Sequence, residues 1–131
     1  MAIPAVVLGG WAFYYAEQWN IVAQLILLLG TALTIISLAS LGRNFSILPA
    51  KRLIVTNGPY KIVRHPVYAA ELMMIFACAC ASPFPVGFII FLSAIALIVI
   101  RVQAEEKLLN TDDTYQTYAT KVIWRLMPRI W

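Results

Sequence analysis

Apolar positions along this chain gather into long uncharged runs, and polar positions gather between them. Residues 21–41 form the clearest run. At 1.5 Å per residue a helix of that length reaches roughly 30 Å, the thickness of a bilayer's hydrocarbon core. Its polar members, Thr31, Thr34, Ser37 and Ser40, are small. They can bond within the helix or pack it against a neighbour. Residues 3–16 form an earlier run that ends at Glu17. It is short for a span, but residues 1–19 together are long enough, with Trp11, Tyr14, Tyr15 and Trp19 anchoring the outer end. No cation precedes this run, so it lacks the charged start of a secretory signal. Its abrupt apolar beginning leaves room for an upstream part.

Two further runs follow a polar middle. Pro66 suits the first position of a helix, where its missing N–H has no helical use. It also biases His65 towards an extended backbone. Residues 67–81 then read as a third membrane helix, Ser82-Pro83-Phe84-Pro85 as a turn, and residues 86–102 as a fourth. Residues 105–110 prolong the fourth helix past the apolar stretch. Thr111 before Asp112 and Asp113 reads as an N-cap with acids in the first turn. It opens a short amphipathic helix that carries Tyr115, Tyr118 and Val122. Trp124, Arg125, Pro128, Arg129 and Trp131 form an interfacial finish. In the middle, Pro49 and Asn57-Gly58-Pro59 break any long helix. Leu53-Ile54-Val55 lies between these breakers as a strand-like lip or a loop dipping into the interface.

Composition agrees with the pattern. The chain is 62% hydrophobic and only 12% charged, with a mean hydropathy of +0.81. Soluble domains carry about 25% charged residues. An all-α integral membrane protein of one small domain is expected, with residues 1–41 as anchor helices and 42–131 as the catalytic part. The net charge of +4 then speaks for anionic lipid, not nucleic acid. Every Lys and Arg lies in 43–64 or 101–129, and the connections at 17–20 and 82–85 have none. With four spans, both basic regions and both termini face the cytoplasm. Cys78 and Cys80, two apart on a helix, point to different faces and read as small apolar residues rather than a redox pair.

The chemistry-bearing residues collect at that basic surface. His65 is the only histidine. Arg64 precedes it, a rigid proline follows, and Tyr68 lies three residues on, along the same helix face. Glu71 sits inside the third helix, where a carboxylate is costly. It is a functional candidate, or it snorkels, is neutral, or pairs with Arg101. Arg101 and Glu105 share a face at four residues' spacing and can form an ion pair. Glu106 points roughly 100° away. The group is either a solvated helix end or a recessed polar site beside His65. Acids near a helix C-terminus oppose the macrodipole, which favours the second reading.

Gly58-Pro59-Tyr60, Arg64-His65-Pro66-Val67-Tyr68, Arg101 with Glu105-Glu106, Tyr118 and Pro128 together resemble the isoprenylcysteine carboxyl methyltransferase family. The related phospholipid N-methyltransferases share the Arg-His-Pro and Glu-Glu signals. The likeness runs from about Leu41 to the C-terminus. A glycine common two residues after the motif tyrosine is Ala70 here. The resemblance implies four transmembrane helices, a cytoplasmic non-Rossmann pocket for S-adenosylmethionine, and a short C-terminal interfacial helix. S-adenosylhomocysteine would be the product. Cofactor contacts would fall on Leu53, Ile54, Val55, Tyr60, His65, Pro66, Val67, Tyr68 and Glu105. Arg101 would orient the acceptor, with Glu71 beside it, and Arg101 and Glu105 would serve the chemistry. No metal site is expected. The partners would be membrane lipids and a lipophilic acceptor, either a carboxylate of the isoprenylcysteine kind or a lipid amine. A non-catalytic membrane protein with a structural version of the motif is the reading from another class.

The charge pattern makes a topological prediction. Reporter tags at residue 1 and residue 131 should both read cytoplasmic, and a tag between residues 82 and 85 should read the opposite side. Termini on opposite faces would show that the first run does not cross.

Overall fold

The structure, a computed structural model, describes residues 20–42 and 54–131. The first apolar run, with residues 43–53, lies outside the described residues. The elements are helix α1 (Ile21–Leu41), a 3-10 turn (Gly58–Lys61), α2 (Pro66–Ala81), α3 (Val86–Leu109) and α4 (Asp113–Lys121).

Each boundary has a local cause. Asn20 caps α1 by accepting from the Ala23 N–H at 2.8 Å. Thr31, Thr34, Ser37 and Ser40 all donate to the carbonyl four residues back, which satisfies their hydroxyls inside the helix. Pro66 occupies the first turn of α2, and His65 before it has a φ of −127° and a ψ of 61°, outside the helical region that a following proline disfavours but short of the expected extended backbone. The expected cap of α4 moves by one residue. Asp112 accepts from the Thr114 N–H at 2.8 Å, while the Thr111 hydroxyl donates back to Leu108 O at 2.8 Å. Thr111 is held in the turn that closes α3, so its side chain is used there.

Helices α1 and α3 are long and apolar enough to cross a bilayer, each with a mean hydropathy of 2.4 over its apolar stretch. Only 17% and 22% of those stretches is buried. A core helix of a soluble protein would be mostly enclosed. Here Leu25, Leu28 and Ile35 on α1 and Phe88, Leu92 and Leu97 on α3 face outward, which suits a hydrocarbon solvent. Of the four expected spans, two helices among the described residues have the length and apolarity to cross. The apolar helix α2, at 16 residues, is shorter than a perpendicular span requires.

Helix α2 is the centre of the packing, with α1 on one side and α3 on the other. Small residues make these approaches close. Ala70, Ala77 and Ser37 are fully buried and Ala23 nearly so, as expected where lipid supplies no hydrophobic drive between helices. A side chain on Gly30 would meet the Met74 side chain and the Ala70 carbonyl. Ala70, the departure from the family's glycine, therefore sits where α1 contributes a glycine of its own. One on Gly87 would run into the Ala79 backbone. Gly58 has a φ of +59° and lies against Ser40, so it alone lets the 3-10 turn fold onto the end of α1.

Beyond the apolar layer the chain folds back on itself. Tyr115, Tyr118 and Val122, the expected apolar face of α4, form a buried cluster with Ile54, Leu109 and Ala119 around it. Leu126 joins Ile98 and Val102 in a second cluster, flanked by Tyr68, Ala69, Leu72 and Trp131.

The close contacts at the two glycines should differ in consequence. Gly30→Ala meets the Met74 side chain and the Ala70 carbonyl but gains helix propensity of about 1 kcal/mol, so it should lose less than Gly87→Ala. Gly87→Ala meets backbone and should lose about 1–3 kcal/mol by overpacking. Thermal unfolding of both variants in one detergent checks this, and equal melting would remove the tight seat of α3 on Ala79.

Candidate active site

Helix geometry divides the Glu105–Glu106 pair between two environments. Ile98, Val102 and Glu106 recur every four residues and lie on the buried stripe of α3. Glu105 lies one residue, or about 100°, round the helix and is half-buried.

Glu106 is the hub of an ion network. Its Oε1 lies 3.1 Å from Arg64 Nη1 and 3.2 Å from His65 Nε2, and its Oε2 accepts from Arg125 Nε at 2.7 Å. The Tyr115 hydroxyl donates to Oε1 at 3.4 Å. Four chain segments meet on one carboxylate: the motif loop before α2, the end of α3, helix α4 through Tyr115, and the tail after α4. Burial lowers the His65 pKa below its ordinary value, and Arg64 pushes the same way, although the carboxylates of Glu105 and Glu106 favour the charged form. The imidazole is therefore neutral near pH 7. A carboxylate only accepts, so the neutral ring must carry its proton on Nε2.

Glu105 faces a different set. Tyr68 donates its hydroxyl to Glu105 Oε2 at 3.0 Å. The His65 and Tyr68 rings are 5.8 Å apart, as their three-residue spacing implies. Glu105's charge also bears on Tyr60, whose hydroxyl is pushed up to about 12 by burial first and that carboxylate second. Tyr115 is likewise raised to about 12 by burial and by Glu106. Both phenols stay protonated donors. Tyr60 is fixed from behind, because Tyr118 donates its hydroxyl to the Tyr60 carbonyl at 2.7 Å.

Arg101 marks the outer edge. Its guanidinium lies 5.3 Å from the centroid of the Tyr68 ring, within cation–π range, and the residue is exposed. Glu71, one turn beyond Tyr68, is half-buried, and its charge reaches the Tyr68 hydroxyl.

The expected site residues therefore fall into groups. Tyr60, His65, Tyr68 and Glu105 come together, with Arg101 at the rim. Pro66 is buried and Val67 half-buried at the start of α2. Ile54 packs on the α4 cluster, Val55 is half-buried beside it, and Leu53 lies outside the described residues. Sequence reasoning placed Glu106 away from the site and Arg125 at an interfacial end. Both are in the network. The missed signal was the four-residue recurrence of Ile98, Val102 and Glu106, which points Glu106 inward.

A family model described as phospholipid methyltransferase matches residues 8–117. The chain belongs to the phospholipid methyltransferase family. That match contains the Arg64-His65-Pro66 motif, Arg101 and both glutamates. The resemblance noted in the sequence was to the isoprenylcysteine carboxyl methyltransferases, with the phospholipid N-methyltransferases as their relatives, and the match is with the relatives. No curated protein and no solved structure matches the chain. Phospholipid methyltransferases are membrane proteins, in keeping with the two long apolar helices, and methyltransferases of this family generally draw on S-adenosylmethionine.

The two glutamates should separate in a stability assay. Glu106→Gln leaves Arg64 buried without its counter-charge, which costs about 3 kcal/mol or more. Glu105→Gln keeps an acceptor for Tyr68 at a half-buried position and should cost less. Denaturation of both variants checks the order, and a Glu106→Gln protein as stable as wild type would show the network to be energetically idle.

Proposed function

We propose that this chain is a multi-pass, S-adenosylmethionine-dependent methyltransferase acting on a lipid acceptor at the cytoplasmic face of a membrane. One observation carries the reading: a carboxylate, Glu105, held among the aromatic residues Tyr60 and Tyr68, with a guanidinium, Arg101, on the outward side. The residues fit the cofactor. A half-buried carboxylate and tyrosine rings suit the positive ammonium or sulfonium, and the side chains of 54–68 supply apolar surface for an adenosine. Bound there, the cofactor would supply an electrophilic methyl group.

The protein's own part is binding and alignment. Tyr60, His65, Pro66, Val67 and Tyr68 would form the cofactor wall, with Leu53, Ile54 and Val55 continuing it. Tyr68, whose hydroxyl is bonded to Glu105, keeps that carboxylate fixed. Arg101 would hold an anionic group of the acceptor, and displacement at a methyl carbon rewards such in-line placement. The apolar exterior of α1 and α3 supports lateral entry of a lipid, while the polar end offers a route for a soluble cofactor.

The family description favours a phospholipid amine as acceptor, with Arg101 on the headgroup phosphate. Such an amine must lose a proton before or during transfer, and Glu71 and Glu105 are the available bases. A lipophilic carboxylate of the isoprenylcysteine kind is the second reading. It is favoured by the exposed planar guanidinium of Arg101, which can bind a carboxylate through two parallel hydrogen bonds, and it needs no base.

Purified protein should bind S-adenosylhomocysteine, and its melting temperature should rise by mass action. Tyr60→Ala should weaken that binding. Arg101→Lys should leave it nearly intact while slowing single turnover by roughly one to three decades through lost alignment. Labelled methyl donor with membrane extract should yield a methylated lipid, whose base lability separates an ester from a methylamine. Absence of binding in the wild type would end the methyltransferase assignment.

A further inference from the structure

The family match ends at residue 117, yet the ion network does not. Residues 122–126 return across the motif. The Arg64 N–H donates to Trp124 O and the His65 N–H to Arg125 O, both at 2.9 Å. Arg64 Nη2 donates to Ile123 O at 3.3 Å. Leu126 is buried against Ile98 and Val102. Arg125 makes the shortest contact to Glu106, at 2.7 Å, and its guanidinium also lies 5.1 Å from the Trp131 ring centroid. The backbone carbonyl of Trp131 accepts from the N–H groups of Arg125, Leu126 and Met127, which folds the tail into a compact turn under the site.

The division of contacts on Glu106 gives Arg125 a specific role. Oε1 takes Arg64, His65 and Tyr115, and Oε2 takes Arg125. Arg125 thus fixes the rotation of the carboxylate about its own axis. That rotation decides where Oε1 stands, and so where the His65 ring is held. Without Arg125 the carboxylate is free to turn both oxygens towards Arg64 and His65.

We propose that Arg125 is a positioning residue of the cofactor site. It acts through Glu106 on His65, and the tail beyond the family-matched region is a working part of the enzyme. The inference rests on the proposed function for its binding readout.

The test uses the full chain in detergent. His65 is the sole histidine, so isotope-labelled imidazole gives one set of NMR signals that reports this contact alone. Arg125→Gln should shift those signals and weaken S-adenosylhomocysteine binding by about ten-fold or more. Arg125→Lys should recover part of both. Arg129→Gln, which removes the same charge from an exposed position of the same tail, should match wild type. Should Arg125→Gln fail to fold, Arg125→Lys carries the comparison, with a smaller shift and a smaller loss expected. Unmoved signals, or moved signals with wild-type affinity, overturn the proposal, the latter because the tail would then be scaffold only. Weakened binding with unmoved signals also overturns it, because the effect would not pass through His65. A wild type that binds no cofactor, while its imidazole responds to Arg125, supports the coupling and overturns the methyltransferase assignment instead.

Discussion

The site depends on one buried carboxylate. Glu106 carries a negative charge into a place where 5% of the residue is exposed, and such a group persists only when paired and hydrogen-bonded. The partners come from separated parts of the chain: Arg64 and His65 before α2, Tyr115 on α4 and Arg125 in the tail. Helix α4 leads from Tyr115 into the tail, and the motif loop comes from before α2. Neutralising Glu106 joins them, together with the apolar clusters around Tyr115 and Leu126 and the backbone bonds from Arg64 and His65 to Trp124 and Arg125. A chain with exposed apolar helices has little water-excluding core with which to hold loops. Ionic and hydrogen-bonded contacts take over that work at its polar end.

Much of the helical layout was legible because lipid makes a strong pattern. The bounds of α1 at residues 21 and 41 coincide with the uncharged run, and Pro66 opens α2 as its ring geometry requires. Tyr115, Tyr118 and Val122 were readable as part of a short amphipathic helix, and the structure buries them against Ile54 and Leu109. The cap of α4 was misplaced because Thr111 and Asp112 are both good caps, and the choice turned on the Thr111 hydroxyl's use by the preceding turn. Local sequence does not rank two adjacent caps when a neighbouring element claims one.

The site was half legible for a related reason. His65, Tyr68 and Arg101 follow from spacing along single helices. Glu106 and Arg125 do not, since 18 residues and a whole helix lie between them, and their meeting is a tertiary event. The charge of Arg125 gave no sign of its partner, because a cation near a chain's polar end is normally solvated. Only the inward stripe of Ile98, Val102 and Glu106 pointed to a carboxylate that needed a cation from somewhere.

Adjacent glutamates on a helix give this fold two carboxylates about 100° apart with a fixed relation. One is turned inward and held by cations, and it sets the position of the motif loop. The other is turned to the Tyr60–Tyr68 face and is half-buried. The separation matters physically. A carboxylate already bound by two guanidinium groups offers little field to a sulfonium, since its charge is neutralised at short range. Glu105 meets the Tyr68 phenol on a different face of the helix. Arg101 lies one turn before Glu105 on α3 and is held over the outer face of Tyr68. The same tyrosine thus contacts Glu105 through its hydroxyl and Arg101 through its ring. In the proposed function, that arrangement would let a single helix end present opposite charges to a cationic cofactor and an anionic acceptor.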